Sequence, residues 1–317
     1  MAEIANAIGS MLSLVIVTLL GFVAARCGFL SADIRPRVSG LIFNITLPCT
    51  ILASVGNVDS SMGGEDVLWS IVLGAAIYFV MLAAGAVANA VLRTPRDERS
   101  LYLFMGVLTN TGFIGFAVLE SIFGSTSVFL GSVYIAVSNV FLYSLGMGLL
   151  ASGSSDAEKN LASRLRGVLK NMLNAPLVAS LVAMALFFSG LSLPGPVSQA
   201  VSMTGGVTSP LAMMLVGLSI ADADLKSVLG QARLWGFALI RFLVAPLVAY
   251  VALAPVVPSE LALGVFVVLL AMPTGSMAAP IATTYGWDGE LPARGTIVAT
   301  IASFAIVPVL MAVMSVL

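Results

Sequence analysis

Leu108-Thr109-Asn110-Thr111-Gly112-Phe113-Ile114-Gly115 lies in the middle of an apolar run long enough to cross a membrane. Asn110, Thr111 and Gly112 are poor helix formers. The pattern returns 163 positions later as Ala271-Met272-Pro273-Thr274-Gly275-Ser276-Met277-Ala278-Ala279-Pro280, with Asn110 aligned to Pro273, Thr111 to Thr274 and Gly112 to Gly275. A chain that unwinds inside lipid exposes N–H and C=O groups, at several kcal/mol for each one left unbonded. Such a break is tolerated where it lines a cavity. Apolar spans interrupted at matching places in two halves of a chain point to a transport site.

Composition agrees with a chain folded in lipid. Of 317 residues, 59% are hydrophobic and only 9% charged, with mean hydropathy +1.08. Soluble domains carry about 25% charged residues. The fold class expected is therefore an all-α polytopic membrane protein. A net charge of −1 offers no basic surface for nucleic acid. Histidine is absent, which removes the imidazole relay and most catalytic zinc sets. No metal site and no cofactor is expected. Cys27 and Cys49 are placed at a helix end and inside the membrane, an unsuitable pair for a disulfide. The first apolar run, 4–25, is preceded by Glu3 rather than lysines and reads as a spanning helix, not a cleaved leader.

A spanning helix needs about 20 mostly apolar residues. Ten runs qualify: 4–25, 36–56, 66–92, 100–123, 127–151, 168–190, 197–221, 230–254, 260–285 and 293–316. The connections after the odd spans hold Arg26, Arg35, Arg37, Arg93, Arg96, Arg99, Lys159, Arg164, Arg166, Lys170, Lys226, Arg233 and Arg294, thirteen of the fourteen basic residues. The connections after even spans hold none, and carry Asp59, Glu65, Asp66 and Glu260 instead. Lysine and arginine mark the cytoplasmic side. The expectation is a multi-pass protein of the cell (inner) membrane with both termini extracytoplasmic.

Residues 1–151 and 166–317 read as two five-span repeats joined by a cytoplasmic linker at 152–165, with Gly153 to Asn160 its polar part. Pro48 and Pro210 are 162 apart, as are Gly124 and Gly286. An odd number of spans per repeat turns the second copy upside down, an inverted-repeat transporter architecture. In it the broken fourth and ninth spans cross at midplane.

Half-helix N-termini carry partial positive charge and free N–H donors, which suits an anion. Asn110, Thr111, Thr274 and Ser276 add polar side chains there, and Gly112, Pro273 and Gly275 hold the breaks open. Arg241 is the one basic residue that cannot be placed in a connection and is a candidate by default. It either attracts an anion, caps a broken helix, or snorkels about 12 Å to the cytoplasmic interface. Secondary candidates are Asn44 and Pro48 in the second span, Ser209 and Pro210 in the seventh, Asn139 in the fifth and Glu120 near the outer end of the fourth. Trp69, Trp235 and Trp287 fall near span ends, as interface anchors do.

At these motifs the chain resembles the auxin efflux carrier family, whose bacterial members are described as malonate or malate permeases. The resemblance rests on Asn110-Thr111-Gly112-Phe113-Ile114-Gly115 through Phe123-Gly124, on Pro273 to Tyr285, and on Arg241-Phe242-Leu243 with Pro246. It covers both halves. It implies ten helices split into scaffold and transport domains, an elevator-like motion, and a solute held by Asn110, Thr111, Pro273, Thr274 and Gly275. Thr109 stands where plant members carry a proline, which leaves room for a milder first break. The long central loop of many plant members is also absent, which argues against auxin as the substrate.

The function expected is secondary transport of small organic anions such as malate, malonate or auxin-like acids. Alternatives are a sodium- or proton-coupled carrier of another solute, or a ligand-gated channel or sensor without turnover. An intramembrane enzyme is disfavoured, since Ser209 and Ser276 have no adjacent base and no acidic pair lies within a span. The coupling ion, Na+ or H+, and a homodimer stay open.

Overall fold

The computed structural model describes residues 2–59, 62–142, 149–150 and 174–314. The linker expected at 152–165 with Lys159 and Arg164, together with Arg166, Lys170 and the side chain of Asn139, lies outside the described residues.

All regular elements among the described residues are helical. Helix α1 (Ala2–Arg26) is followed by α2 (Arg35–Leu41) and α3 (Leu47–Val55), which a π-helical turn (Ile42–Thr46) joins. Then come α4 (Gly64–Val91), α5 (Arg99–Val107), a π-helical turn (Thr111–Gly115), α6 (Phe116–Phe123) and α7 (Ser125–Phe141). The later part runs through α8 (Ala175–Ser189), α9 (Gly195–Gly205), α10 (Thr208–Ala221) and the short α11 (Leu225–Leu229). Next are α12 (Ala232–Ala238), a π-helical turn (Leu239–Val244) and α13 (Ala245–Leu253), then α14 (Glu260–Leu270), α15 (Ala278–Thr284) and α16 (Glu290–Met314). Five described helical runs are long and apolar enough to cross a membrane, at 32–55, 64–91, 195–221, 232–253 and 290–314, and shorter apolar helices fill in between. The chain is an all-α polytopic membrane protein. Helices suit lipid because they satisfy their own main-chain groups.

Local chemistry explains the interruptions. Pro48 and Pro246 each follow a π-helical turn by two residues. A proline ring has no N–H and collides with the carbonyl four residues back, so the preceding turn widens. Gly124 (φ +76°) and Gly286 (φ +80°), equivalent positions in the two halves, both take a positive φ just past α6 and α15. Glycine reaches that region without steric penalty.

The odd connections gather on one face. Arg35 pairs with Asp222 at 3.2 Å, Arg233 with Glu98 at 3.3 Å, and Arg294 with Glu290. On the other face the Ser259 hydroxyl donates to Asp66 at 2.5 Å, and the Asp59 N–H donates to the Thr126 hydroxyl at 3.1 Å. Arg35–Asp222 and Arg233–Glu98 thus join odd connections to one another, and Ser259–Asp66 and Asp59–Thr126 join even ones.

Helix α14 lies at the centre, with Ala262 through Leu270 all buried. A helix apolar on every side belongs there. The tightest pairing is α1 on α10. A Cβ on Gly217 would lie 2.0 Å from the Thr18 carbonyl, and one on Gly21 would lie 2.3 Å from that of Met214. Small residues let main chains touch where lipid supplies no hydrophobic drive between helices. Gly217→Leu should therefore lower the unfolding temperature in detergent, with a loss at or above the about 1–3 kcal/mol usual for overpacking. Gly9→Leu, where a Cβ meets nothing within 4 Å, should leave it unchanged.

Candidate functional site

Helix α5 ends at Val107, and the chain runs on extended through Leu108 (ψ 90°) to Asn110 (φ −84°, ψ 52°). Helix α14 ends at Leu270, and α15 does not begin until Ala278. The two unwound stretches meet. Thr109 and Thr274 face each other in an isolated antiparallel bridge. The Asn110 N–H donates to the Pro273 carbonyl at 2.8 Å, and the Gly275 N–H donates to the Leu108 carbonyl at 2.7 Å. The first break spans three residues, 108–110, and the second seven, 271–277, so the first is the shorter interruption, as Thr109 in place of a proline leaves room for. Pairing with 273–275 supplies the constraint that a proline ring would otherwise supply.

The residue types follow from this contact. Pro273 cannot donate to a helix, yet its carbonyl remains an acceptor. A Cβ on Gly275 would sit 3.4 Å from Leu108 Cγ and from the Thr109 carbonyl. One on Gly112 would lie 3.2 Å from Leu47 Cδ2, and one on Gly115 3.1 Å from Leu269 Cδ2. The glycines let the breaks seat against neighbouring helices.

The two ends of each break are treated differently. On the C-terminal side of α5, Met105 O accepts from the Thr274 hydroxyl at 3.0 Å, Gly106 O from Arg241 Nε at 2.7 Å, and Leu108 O from Gly275. On the C-terminal side of α14, Leu270 O accepts from Arg241 Nη1 at 2.9 Å and Pro273 O from Asn110. The carbonyls of Met105, Gly106, Leu108, Leu270 and Pro273 are thus met by the protein itself.

The N–H ends are open. The helical run 111–123 uses the Asn110 carbonyl as acceptor for Ile114 (3.1 Å) and Gly115 (3.0 Å). The N–H groups of Thr111, Gly112 and Phe113 have no intrahelical acceptor by position. Asn110 is 3% exposed, and its side-chain amide makes no hydrogen bond among the described residues. The Thr109 and Thr111 hydroxyls share a hydrogen bond of 2.9 Å. Ser276, at the entry to α15, is exposed. A cluster of donors with a partial positive charge remains for something else to meet.

Asn110, Thr111, Gly112, Pro273, Thr274, Gly275 and Arg241 thus come together. Arg241 is wholly buried and does not snorkel to either interface. The secondary candidates lie elsewhere. Asn44 is exposed and its amide donates to the Gly40 carbonyl at 2.8 Å. Pro48 serves the π-helical turn before it, and Pro210 sits in the first turn of α10. The Ser209 hydroxyl donates to the exposed Glu120 carboxylate at 3.2 Å, which ties α10 to α6. Sequence reasoning passed over Thr109 as a site residue, and also Tyr134 on α7, which is 3% exposed with its hydroxyl beside the Thr109 and Thr111 side chains. A lone tyrosine in an apolar helix gives no signal that would have singled it out. No group of three or more metal-binding side chains occurs among the described residues.

Residues 6–311 match the family model described as membrane transport protein. An uncharacterized transporter of Methanocaldococcus jannaschii is 24% identical over 303 residues, 93% of this chain and 95% of that one. An uncharacterized transporter of Methanothermobacter thermautotrophicus is 24% identical over 306 residues, 94% and 95% of the two chains. The uncharacterized transporter YfdV of Escherichia coli is 24% identical over 220 residues, 68% of each. The chain belongs to the membrane transport protein family, the auxin efflux carrier family that its motifs resemble, and is a membrane transporter rather than an enzyme.

Thr274→Val keeps the side-chain shape and removes the donor to Met105 O. A buried carbonyl left without its partner costs about 1–3 kcal/mol. The valine variant should lose that much stability in detergent, while Thr274→Ser should keep most of it.

Proposed function

We propose that this transporter carries small organic anions, with mono- and dicarboxylates such as malonate and malate as the leading class. The observation that carries the reading is the asymmetry of the breaks. Their carbonyl ends are consumed by Thr274, Gly275, Asn110 and Arg241, whereas the N–H end at Thr111–Phe113 and the Asn110 amide face no partner among the described residues. Donors without matching acceptors favour a negatively charged solute.

The proposed mechanism is alternating access of the elevator type, with helices 4 and 9 crossing at the solute. It builds on an inverted repeat of residues 1–151 and 166–317. Exchanged contacts support that repeat. Helix α1 packs on α10, and its counterpart α8 packs on α3. Helix α4 packs on α7, and α12 packs on α16. Likewise α7 contacts α8, and α16 contacts α1. Each pair maps onto the other when the halves are swapped.

Glu120 is the one acid well inside a span, and it lies toward the outer end of its helix, hydrogen-bonded to Ser209. That is a poor place for a proton carrier serving Asn110. Flux driven by the membrane potential needs no titrating group, since expelling one negative charge from a negative interior is favoured by about 2.3 kcal/mol per 100 mV. Both termini are assigned to the extracytoplasmic side.

The experiment is uptake and counterflow of labelled malonate and malate in liposomes holding the purified protein. Saturable counterflow is expected and marks a carrier; its absence alongside conductive leak marks a channel. Asn110→Ala and Pro273→Ala should each lower the rate at least tenfold, about 1.4 kcal/mol in the barrier. Wild-type rates in both variants would remove the site assignment. Rates that follow an imposed potential, and ignore sodium and proton gradients, are the expected coupling result.

A further inference from the structure

We propose that Arg241 is the positioning residue of the paired breaks and makes them electrically one-sided: it holds and neutralises the carbonyl ends of α5 and α14, so that the N–H groups of Thr111–Phe113 across the first break are what acts on a bound anion. The electrostatic half of this rests on the anion reading above; the clamp itself does not.

The guanidinium reaches both halves of the chain at once. Nε takes Gly106 O at 2.7 Å in the last turn of α5, and Nη1 takes Leu270 O at 2.9 Å at the end of α14. The two acceptors are 164 positions apart in sequence. They are brought within the span of one planar fork, which lysine does not possess. A helix C-terminus acts as roughly half a negative charge. Two such ends amount to about one unit, which the guanidinium offsets. Among the described residues no carboxylate pairs with Arg241, so the carbonyl ends are its counter-charge. Without it, two negative ends would act from behind on the same anion that the N–H ends attract.

Local structure aims the side chain. Arg241 sits inside the π-helical turn Leu239–Val244, and its Cζ lies 5.1 Å from the centre of the Phe242 ring. Gly106 leaves it space, since a Cβ there would stand 3.6 Å from Nε. Arg241 has no exposed surface, so it stands behind the site rather than in the solute's path. Nη2 is buried without a partner. It is the atom that a competing account, direct contact with the solute, would use.

The test compares the full-length wild type with Arg241→Gln and Arg241→Lys in detergent. Hydrogen–deuterium exchange is followed in peptides covering 104–114 and 270–278, with no solute added. Binding of acetate and malonate is measured by titration on the same samples. The glutamine variant should exchange at least tenfold faster in both peptides. Its affinity should fall more for the dianion than for the monoanion, about tenfold for acetate and about a hundredfold for malonate, since the lost charge acts on each carboxylate. The lysine variant keeps the charge and loses the fork. It should exchange at an intermediate rate while keeping the malonate-to-acetate ratio within about twofold of wild type. Unchanged exchange with weakened binding would overturn the proposal in favour of direct contact. Faster exchange with equal losses for both anions would overturn its electrostatic half. If the glutamine variant does not fold, the lysine variant's exchange and affinity ratio decide. A wild type that binds neither anion counts against the proposed function, and the exchange result then judges the clamp alone.

Discussion

A main-chain carbonyl in the interior of a membrane protein has to find a donor, and the arrangement of this molecule follows from how that demand is met at two interrupted helices. Each break frees acceptors on one side and donors on the other. The acceptors are answered across the chain: the stretch around Leu108 is answered by Thr274 and Gly275, the stretch around Pro273 by Asn110, and both by Arg241. Neither break is stable by itself. The halves are interdependent because each completes the other's hydrogen bonding, and α14 is buried along its length because it must bring Leu270 to that meeting point.

The donors are the residue left after this accounting. A hydrogen-bonded bridge of two residues is too small to count as a sheet, yet it sets the polarity of the site. It uses the N–H groups of Asn110 and Gly275, while side chains, Thr274 and Arg241, meet the carbonyls of Met105, Gly106 and Leu270. On the proposed reading, such a site would suit an anion without an exposed lysine or arginine in the membrane, where such charges are costly. Among the described residues the one fully buried basic side chain, Arg241, bonds carbonyls from both stretches.

Much of this was legible in the sequence, for physical reasons. The breaks showed because Asn110-Thr111-Gly112 and Pro273-Thr274-Gly275 are poor helix formers inside long apolar runs, and lipid makes such lapses expensive. The segregation of Arg35 and Arg233 from Asp59 and Asp66 showed in the sequence, and the structure pairs odd connections with odd (Arg35–Asp222, Arg233–Glu98) and even with even (Ser259–Asp66). The positive φ at Gly124 and Gly286 matched the 162-residue offset. What was not legible was the pairing. Nothing in Thr109 says that it will lie opposite Thr274, since antiparallel bridging between distant segments has no local signature. Arg241 read as three things at once, because a charge inside a span shows where it is and not what it bonds. Tyr134 was invisible for a similar reason, being one aromatic among many.

The links after the breaks are very short. A single residue, Gly124, separates α6 from α7, and five residues, 285–289, separate α15 from α16. Seven residues, 92–98, precede α5. The first interrupted helix is therefore leashed on its trailing side and slacker on its leading side, whereas the second has links of similar length on both, six residues before α14 and five after α15. Any piston-like travel of the junction has to drag α7 and α16 along as ballast.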